Sequence, residues 1–206
     1  GLSRLFASLG VAAVVEGGQT MNPSTQDILS SFENLPTDKV IILPNNKNIV
    51  MAANQAKSVT IKQVEVVPSR TIPQGLAAML SLQPDGDLAA VAERMAKSME
   101  HVRTGEITVA TRSVEIDGVN VETGQVIALL DGKLVASAGS VEEGVLAFLE
   151  KVNAGEHELV TLFYGENMSH VESNRLADVI HNKYPNLEVE VQEGGQPHYQ
   201  FIISVE

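Results

Sequence analysis

Lys39-Val-Ile-Ile-Leu43, Pro44-Asn-Asn-Lys-Asn48, a small-residue run through Ala53 and Ala56, then Gln63-Val-Glu-Val-Val67 closed by Pro68: this stretch decides the fold class. Two short β-branched runs bracket a segment whose alanines recur at helical spacing. Strand, helix, strand with a turn at each junction is the pattern of a parallel βαβ unit. The run at 39–43 is almost continuously apolar, as expected of a strand buried on both faces. Working back towards the start, Val11–Glu16 reads as another buried strand and Gly17–Ser24 as a loop. Ser24 is placed as the N-cap of a helix with Asp27 at N3, running to about Leu35, where Pro36 stops it. Leu2, Leu5, Phe6 and Leu9 form a helical pattern ahead of all this, and the chain opens at Gly1 without Met. A piece of a longer protein is the expectation. Downstream, Ser69–Leu82 holds a turn and a helix containing Gly75. Asp87–Val102 then carries Leu88, Val91, Met95 and Met99 at helical spacing, the methionines reading as core filler.

The second half changes character. Glu106–Val114 alternates in the manner of a strand. Asp117-Gly118 and Asp131-Gly132 are two-residue hairpin turns, the latter between Val126-Ile-Ala-Leu-Leu130 and Lys133-Leu-Val-Ala-Ser137. Ser140 with Glu143, and Ser169 with Glu172, read as capping boxes opening two helices. Strands follow at Leu159–Tyr164, Leu187–Gln192 and Tyr199–Val205, the last antiparallel to a neighbour. The expected fold class is therefore α/β in two lobes: residues 1–104 with a mainly parallel sheet and helices on both faces, and residues 105–206 with a mixed sheet, antiparallel hairpins and helices. The boundary falls near 103–106, and packed lobes are expected because no low-complexity linker separates them.

Composition narrows the function. The 206 residues are 44% apolar and 19% charged, ordinary for a folded chain, and no window approaches a membrane span. The absence of cysteine excludes disulfides, thiol nucleophiles and cysteine-held metals. Residues 1–105 carry nine basic and nine acidic side chains, whereas residues 106–206 carry five against seventeen, so the second half holds the whole net charge of −12. Such a field repels phosphate backbones and anionic lipids, and aromatics at 4% leave few stacking platforms. Nucleic-acid binding is set aside, and a cytoplasmic location is the default.

Three places are candidates for chemistry. The first is the loop Gly17, Gly18, Gln19, Thr20, Met21, Asn22, Pro23, Ser24, at a strand end before a helix, where helix N–H groups with Thr20, Asn22 and Ser24 suit an anion; a well-capped connection that binds nothing is the alternative. The second is Pro44–Asn48, where Asn45, Asn46 and Lys47 either meet an anion or form Asx-turns. The third is the set His101, His157, His170, His181 and His198, which shows no metal-ligand spacing. The acidic pairs Glu142–Glu143, Glu156/Glu158 and Glu188/Glu190 read as solvated faces, Glu188 and Glu190 alternating with Val189 and Val191. No phosphate loop, dinucleotide fingerprint or nucleophile elbow occurs. One echo links the halves: Glu16-Gly17-Gly18-Gln19 and Glu193-Gly194-Gly195-Gln196, each read as following a strand. From the residues alone, a binding or docking module is favoured.

The run Val14-Val-Glu-Gly-Gly-Gln-Thr-Met-Asn-Pro-Ser-Thr-Gln-Asp-Ile-Leu29 resembles the C-terminal region of the fatty acid kinase ATP-binding subunit, the dihydroxyacetone-kinase-like YloV family. So do Val40–Ile49 with Ala52-Ala53, Val67-Pro68 with Ile72-Pro-Gln-Gly75, Glu193–Pro197 and Ile202–Glu206. The resemblance implies a DegV-like fold and a division of labour. ATP and Mg²⁺ would be held by an upstream kinase domain followed by a middle domain, with no cofactor and no catalytic residue in this fragment. A DegV-type protein would carry the fatty acid, and this region would dock it for phosphorylation in phospholipid metabolism, with a homodimer possible. The implied alternative is a small-molecule site for a fatty acid or other anion at Gly17–Ser24, Asn45 and Asn46, together with a second-lobe loop of Glu193, Gly194, Gly195 and Gln196. Compared with DegV proteins, Thr20 is kept, but Met21 stands where a Ser is expected. Glu193–Pro197 lacks the family's His, and its carboxylate would repel a lipid head. Both departures imply that the lipid has been lost and the surface kept.

Overall fold

The structure, a computed structural model, describes residues 1–17 and 21–206; Gly18, Gln19 and Thr20 lie outside the described residues. The chain divides into two compact units, Ser3–Val102 and Arg103–Glu206, with Gly1–Leu2 grouped with the latter.

The first unit begins in helix α1 (Leu2–Ser8). Gly10, at φ +100°, ends it: the Gly10 N–H donates to Ala7 O and the Val11 N–H to Phe6 O, a Schellman closure that only a residue tolerant of positive φ makes easily. The segment Val11–Glu16 is not a strand. Its apolar run lacks a ladder partner, and Val14 and Val15 are 46% and 36% exposed. A short apolar run cannot be assigned by periodicity alone, and here the unpaired reading wins. α2 (Thr25–Phe32) opens as expected, with Ser24 Oγ accepting from the Asp27 N–H and Asp27 Oδ2 accepting from the Ser24 N–H. It ends at Phe32, short of Leu35, because Glu33–Pro36 turn away.

β1 (Lys39–Ile42) and β2 (Gln63–Val66) pair in parallel, Lys39 opposite Gln63 and Ile42 opposite Val66. The connection runs through α3 (Val50–Val59), which buries Ala53 and Ala56 completely. The βαβ reading of this stretch is therefore correct, but the sheet has two strands. β1 is half-buried rather than covered on both faces. Ile28, Leu29, Phe32, Ile49, Ala53, Ala56 and Val64 form the core beneath α2 and α3. α4 (Ile72–Leu80) is capped by Thr71, and α5 (Leu88–Ser98) turns Val91, Ala92 and Met95 inward.

The second unit is a six-stranded mixed sheet in the order β7-β6-β3-β10-β8-β9. Its strands are β3 (Arg103–Val109), β6 (Val126–Leu130), β7 (Lys133–Ala138), β8 (Leu159–Tyr164), β9 (Glu188–Glu193) and β10 (Tyr199–Val205). β4 (Val114–Ile116) and β5 (Val119–Val121) make a separate hairpin. The long alternating segment is thus two strands, β3 beginning at Arg103 and β4 following a turn. Both Asp-Gly turns have positive φ at each central residue: Asp117 53° with Gly118 79°, and Asp131 50° with Gly132 86°. That is the type I′ geometry that matches strand twist. β10 is antiparallel to both β3 and β8, while β8 and β9 are parallel.

Helices α6 (Val141–Lys151) and α7 (His170–Lys183) pack on this sheet. The Phe148 ring of α6 lies on the backbone of β3 at Gly105, where any Cβ would strike the ring. Phe148, Leu149, Ile107, Leu162, Ile180, Phe201 and Ile203 are fully buried there. Ser169 and Glu172 form the full capping box of α7. At α6 only half of the box exists: Ser140 Oγ accepts from the Glu143 N–H, but Glu143 Oε2 accepts from the N–H of Gly139, one residue too early.

Candidate functional site

Ser24, Asn45, Asn46 and Gln196, drawn from the three sequence-selected loops, are each held by hydrogen bonds within the protein. At the first, Gly17 lies against the Pro23 ring, where a Cβ would be 2.7 Å from Cδ, so close approach explains this glycine. Asn22 and Met21 are exposed, Met21 at 78%. Ser24 is occupied by its capping box, and hydrogen bonds from the Ser24 N–H and then its side chain hold the Asp27 carboxyl below its ordinary value. Gly18 and Thr20 lie outside the described residues.

At the second loop Asn45 adopts φ +57° just past β1. Its N–H donates to Ser69 Oγ at 3.0 Å, and the Ser69 hydroxyl donates back to Asn45 Oδ1 at 2.7 Å. Ser69 is completely buried just past β2. Gly75 of α4 backs this pair, and a Cβ there would fall on Asn45 Oδ1. Asn45 therefore bolts the ends of the two parallel strands together. Asn46 Oδ1 accepts from the Asn48 N–H at 2.8 Å, an Asx-turn that leads into α3.

Beside this bolt is an open cleft of ≈ 430 Å³ lined by Lys47, Val50, Met51, Asn54, Gln55, Pro68 and Arg70. Thr25, the first residue of α2, donates to Gln55 Oε1 at 2.8 Å on the cleft's flank. The sequence reading found Lys47 but not Ser69, Met51 or Arg70. The available signal was positional: Ser69-Arg70 follows β2 as Asn45–Lys47 follows β1, and carboxyl ends of parallel strands share one edge.

The third loop lies in the second unit. Gln196 is 8% exposed, and its Nε2 donates to Phe163 O at 2.9 Å and Tyr199 O at 3.3 Å. Gly194 must lack a side chain because Gln196 Oε1 occupies that space, and Gly195 sits at φ +68°. Glu193 is exposed at the end of β9. The Leu2 N–H donates to Gly194 O at 3.1 Å. The two Glu-Gly-Gly-Gln runs thus share a close-approach glycine, but only the second follows a strand. Nearby, burial, then the charge and hydrogen bond of Glu106, push the Tyr199 phenol up, so it remains a donor. The described residues contain no group of three or more His, Asp or Glu suited to a metal, and none of their helices is long and apolar enough to cross a membrane.

The two-unit architecture is that of the DegV class. A DegV family protein from Corynebacterium glutamicum superposes with a TM-score of 0.66 at 16% identity, covering 98% of this chain and 91% of that one. The Streptococcus pneumoniae fatty acid kinase B3 protein, solved loaded with linoleic acid, gives 0.63 at 13% identity, covering 89% and 76%. Residues 1–206 match the FakA-like C-terminal family of fatty acid kinase subunits, and the chain belongs to it. Protein YloV of Bacillus subtilis is 39% identical over all 206 residues, which make up 37% of its length. The uncharacterized protein SAR1202 of Staphylococcus aureus is 38% identical over the same span, 38% of its length. The chain thus spans little more than a third of these curated relatives.

Proposed function

We propose that this chain is a docking platform: it holds an acyl-carrying DegV-type protein so that a kinase domain elsewhere in the same polypeptide can phosphorylate the fatty acid carboxylate. The observation carrying this reading is the fate of the loop polar groups in a DegV-like fold. Ser24 closes a helix cap, Asn45 bolts two strands, and Gln196 grips Phe163 O and Tyr199 O. Each is committed to architecture, which leaves the surface to act. Exposed Met21 and Glu193 fit the same account, since neither offers a carboxylate a donor. Docking contributes proximity, making phosphoryl transfer effectively intramolecular. ATP and Mg²⁺ would belong to the kinase domain. The acidic second half would steer a partner bearing a basic patch, so association should slow as salt rises.

The second reading has its own support: the structural relatives include proteins solved with fatty acids, and a lipid or other anion could occupy the Gly17–Ser24 loop here. Native mass spectrometry of the purified chain separates the two. A co-purified acyl chain supports the lipid site, whereas a bare chain that retains an acyl-loaded DegV-type protein in a pull-down supports docking. No retention at low salt overturns the docking reading, and a salt-independent on-rate overturns the steering.

A further inference from the structure

The cleft beside the Asn45–Ser69 bolt lies outside the residues selected for lipid binding. Its lining brings the cations Lys47 and Arg70 together with the apolar side chains of Val50, Met51 and Pro68. Lys47 and Arg70 make no ion pair among the described residues. Four of the other six cations of the first unit are spent internally. Lys57 pairs with Glu65 and Lys97 with Glu93. Lys62 Nζ donates to the carbonyls of Phe32, Leu35 and Thr37, and Arg94 to those of Gln83 and Asp85. Met51 lines the same cleft and is 73% exposed, an apolar side chain with no cover of its own. Val50 and Met51 are in the first turn of α3, whose N-cap Ile49 offers no side-chain acceptor, so the positive end of that helix adds to the field of the two cations.

Openness decides what such a cleft can hold. A small-molecule site encloses most of its ligand. Here Lys47, Met51, Asn54, Gln55, Pro68 and Arg70 are all exposed, so a free metabolite would keep most of its surface in water. A chain segment anchored by the rest of a protein does not need enclosure. Arg and Met are also residue types enriched in protein interfaces. A long polyanion is disfavoured by the net charge of −12, which leaves a partner with a few local carboxylates.

We propose that the Lys47–Arg70 cleft docks an acidic segment of the acyl-carrying partner, its carboxylates on Lys47 and Arg70 and an apolar side chain on Met51 and Pro68. The proposal rests on the docking reading and adds the surface and the chemistry that fits it. The partner then carries charges of both signs: a basic patch drawn by the acidic half of this chain, and an acidic segment for the cleft. Long-range attraction governs the on-rate, whereas contacts in the cleft govern the off-rate.

The test is calorimetric titration of the full-length polypeptide with the acyl-loaded partner, comparing Lys47→Glu/Arg70→Glu with the equal charge change Lys39→Glu/Lys97→Glu. The cleft reversal should weaken binding by about tenfold or more, and Met51→Ala by severalfold, while the control stays within about twofold. Glu→Lys changes in the partner's acidic segment should restore binding to the cleft reversal and not to the control. Cleft variants that bind like the control overturn this inference and leave docking standing. A wild-type chain that does not bind overturns both. If sedimentation shows that the cleft variants lose self-association while keeping the partner, the occupant is a second copy of this chain, and the proposal falls.

Discussion

The two units distribute their stability differently. In Arg103–Glu206 six strands and two long helices enclose a continuous core of large side chains, with Phe148, Leu149, Leu162 and Phe201 at zero exposure. In Ser3–Val102 two four-residue strands support smaller buried side chains, Ala53, Ala56, Val67 and Ala78 being at zero exposure, and the cations of a cleft stand at the sheet's end. Apolar area removed from water is the main stabilising term. The second unit therefore gathers its largest buried side chains under one broad sheet, whereas in the first the Asn45–Ser69 joint adds to the packing around a two-stranded one. A scaffold of the first kind suits permanence, and one of the second kind suits a surface that meets something.

The largest expected effect tests this contrast in the core. Phe148→Ala should destabilise the second unit by about 3–5 kcal/mol, the range for a buried aromatic. In native-state hydrogen exchange, amides of β3, β8 and β10 should be the slowest in the wild-type chain, and this substitution should speed them. If β1 and β2 amides prove as slow as those of β10, the contrast is wrong. Next comes the joint. Gly75→Ala places a methyl on Asn45 Oδ1 and should cost about 1–3 kcal/mol in urea unfolding of the first unit, as overpacking does. Adding Asn45→Gly, which suits the positive φ, should recover part of that loss; no recovery would mean the joint is not the site of strain. Smaller still is the cap of α7: Ser169→Ala should cost about 1 kcal/mol.

The caps also set a pH response. Hydrogen bonds from the Ser169 N–H and hydroxyl hold the Glu172 carboxyl below its ordinary 4.5, as those from Ser24 hold Asp27 below 3.8. A carboxyl depressed in the folded state contributes stability that is fully present above its unfolded value and lost as pH falls through the folded one. Helix α7 should therefore loosen at its first turn as pH falls below the ordinary 4.5 and through the lower folded value. Glu172→Gln should flatten that portion of an acid titration followed by circular dichroism.

Local chemistry was legible in the sequence. Asp117-Gly118 and Asp131-Gly132 forced type I′ turns, and Ser24/Asp27 and Ser169/Glu172 marked their helices, because each acts within four residues of chain. Val11–Glu16 misled because an apolar run carries no record of whether a neighbouring strand exists. Ser140/Glu143 misled more subtly: the acceptor was present but reached Gly139 instead of the cap. The candidate site divided in the same way. Asn46 formed the Asx-turn written in its spacing, whereas Asn45 was claimed by Ser69, a partner that only the pairing of β1 with β2 brings near. Lys47 and Arg70 share a cleft for the same non-local reason, so no motif could join them.

That joint also works as a gauge. Asn45 is two residues from Lys47, and Ser69 adjoins Arg70, so the hydrogen bonds that lock the strand ends also hold the backbone from which two long cationic side chains extend. A docked segment would meet two charges on backbone that is already set. Little backbone freedom remains to be surrendered on contact, and less of the attraction is spent on ordering.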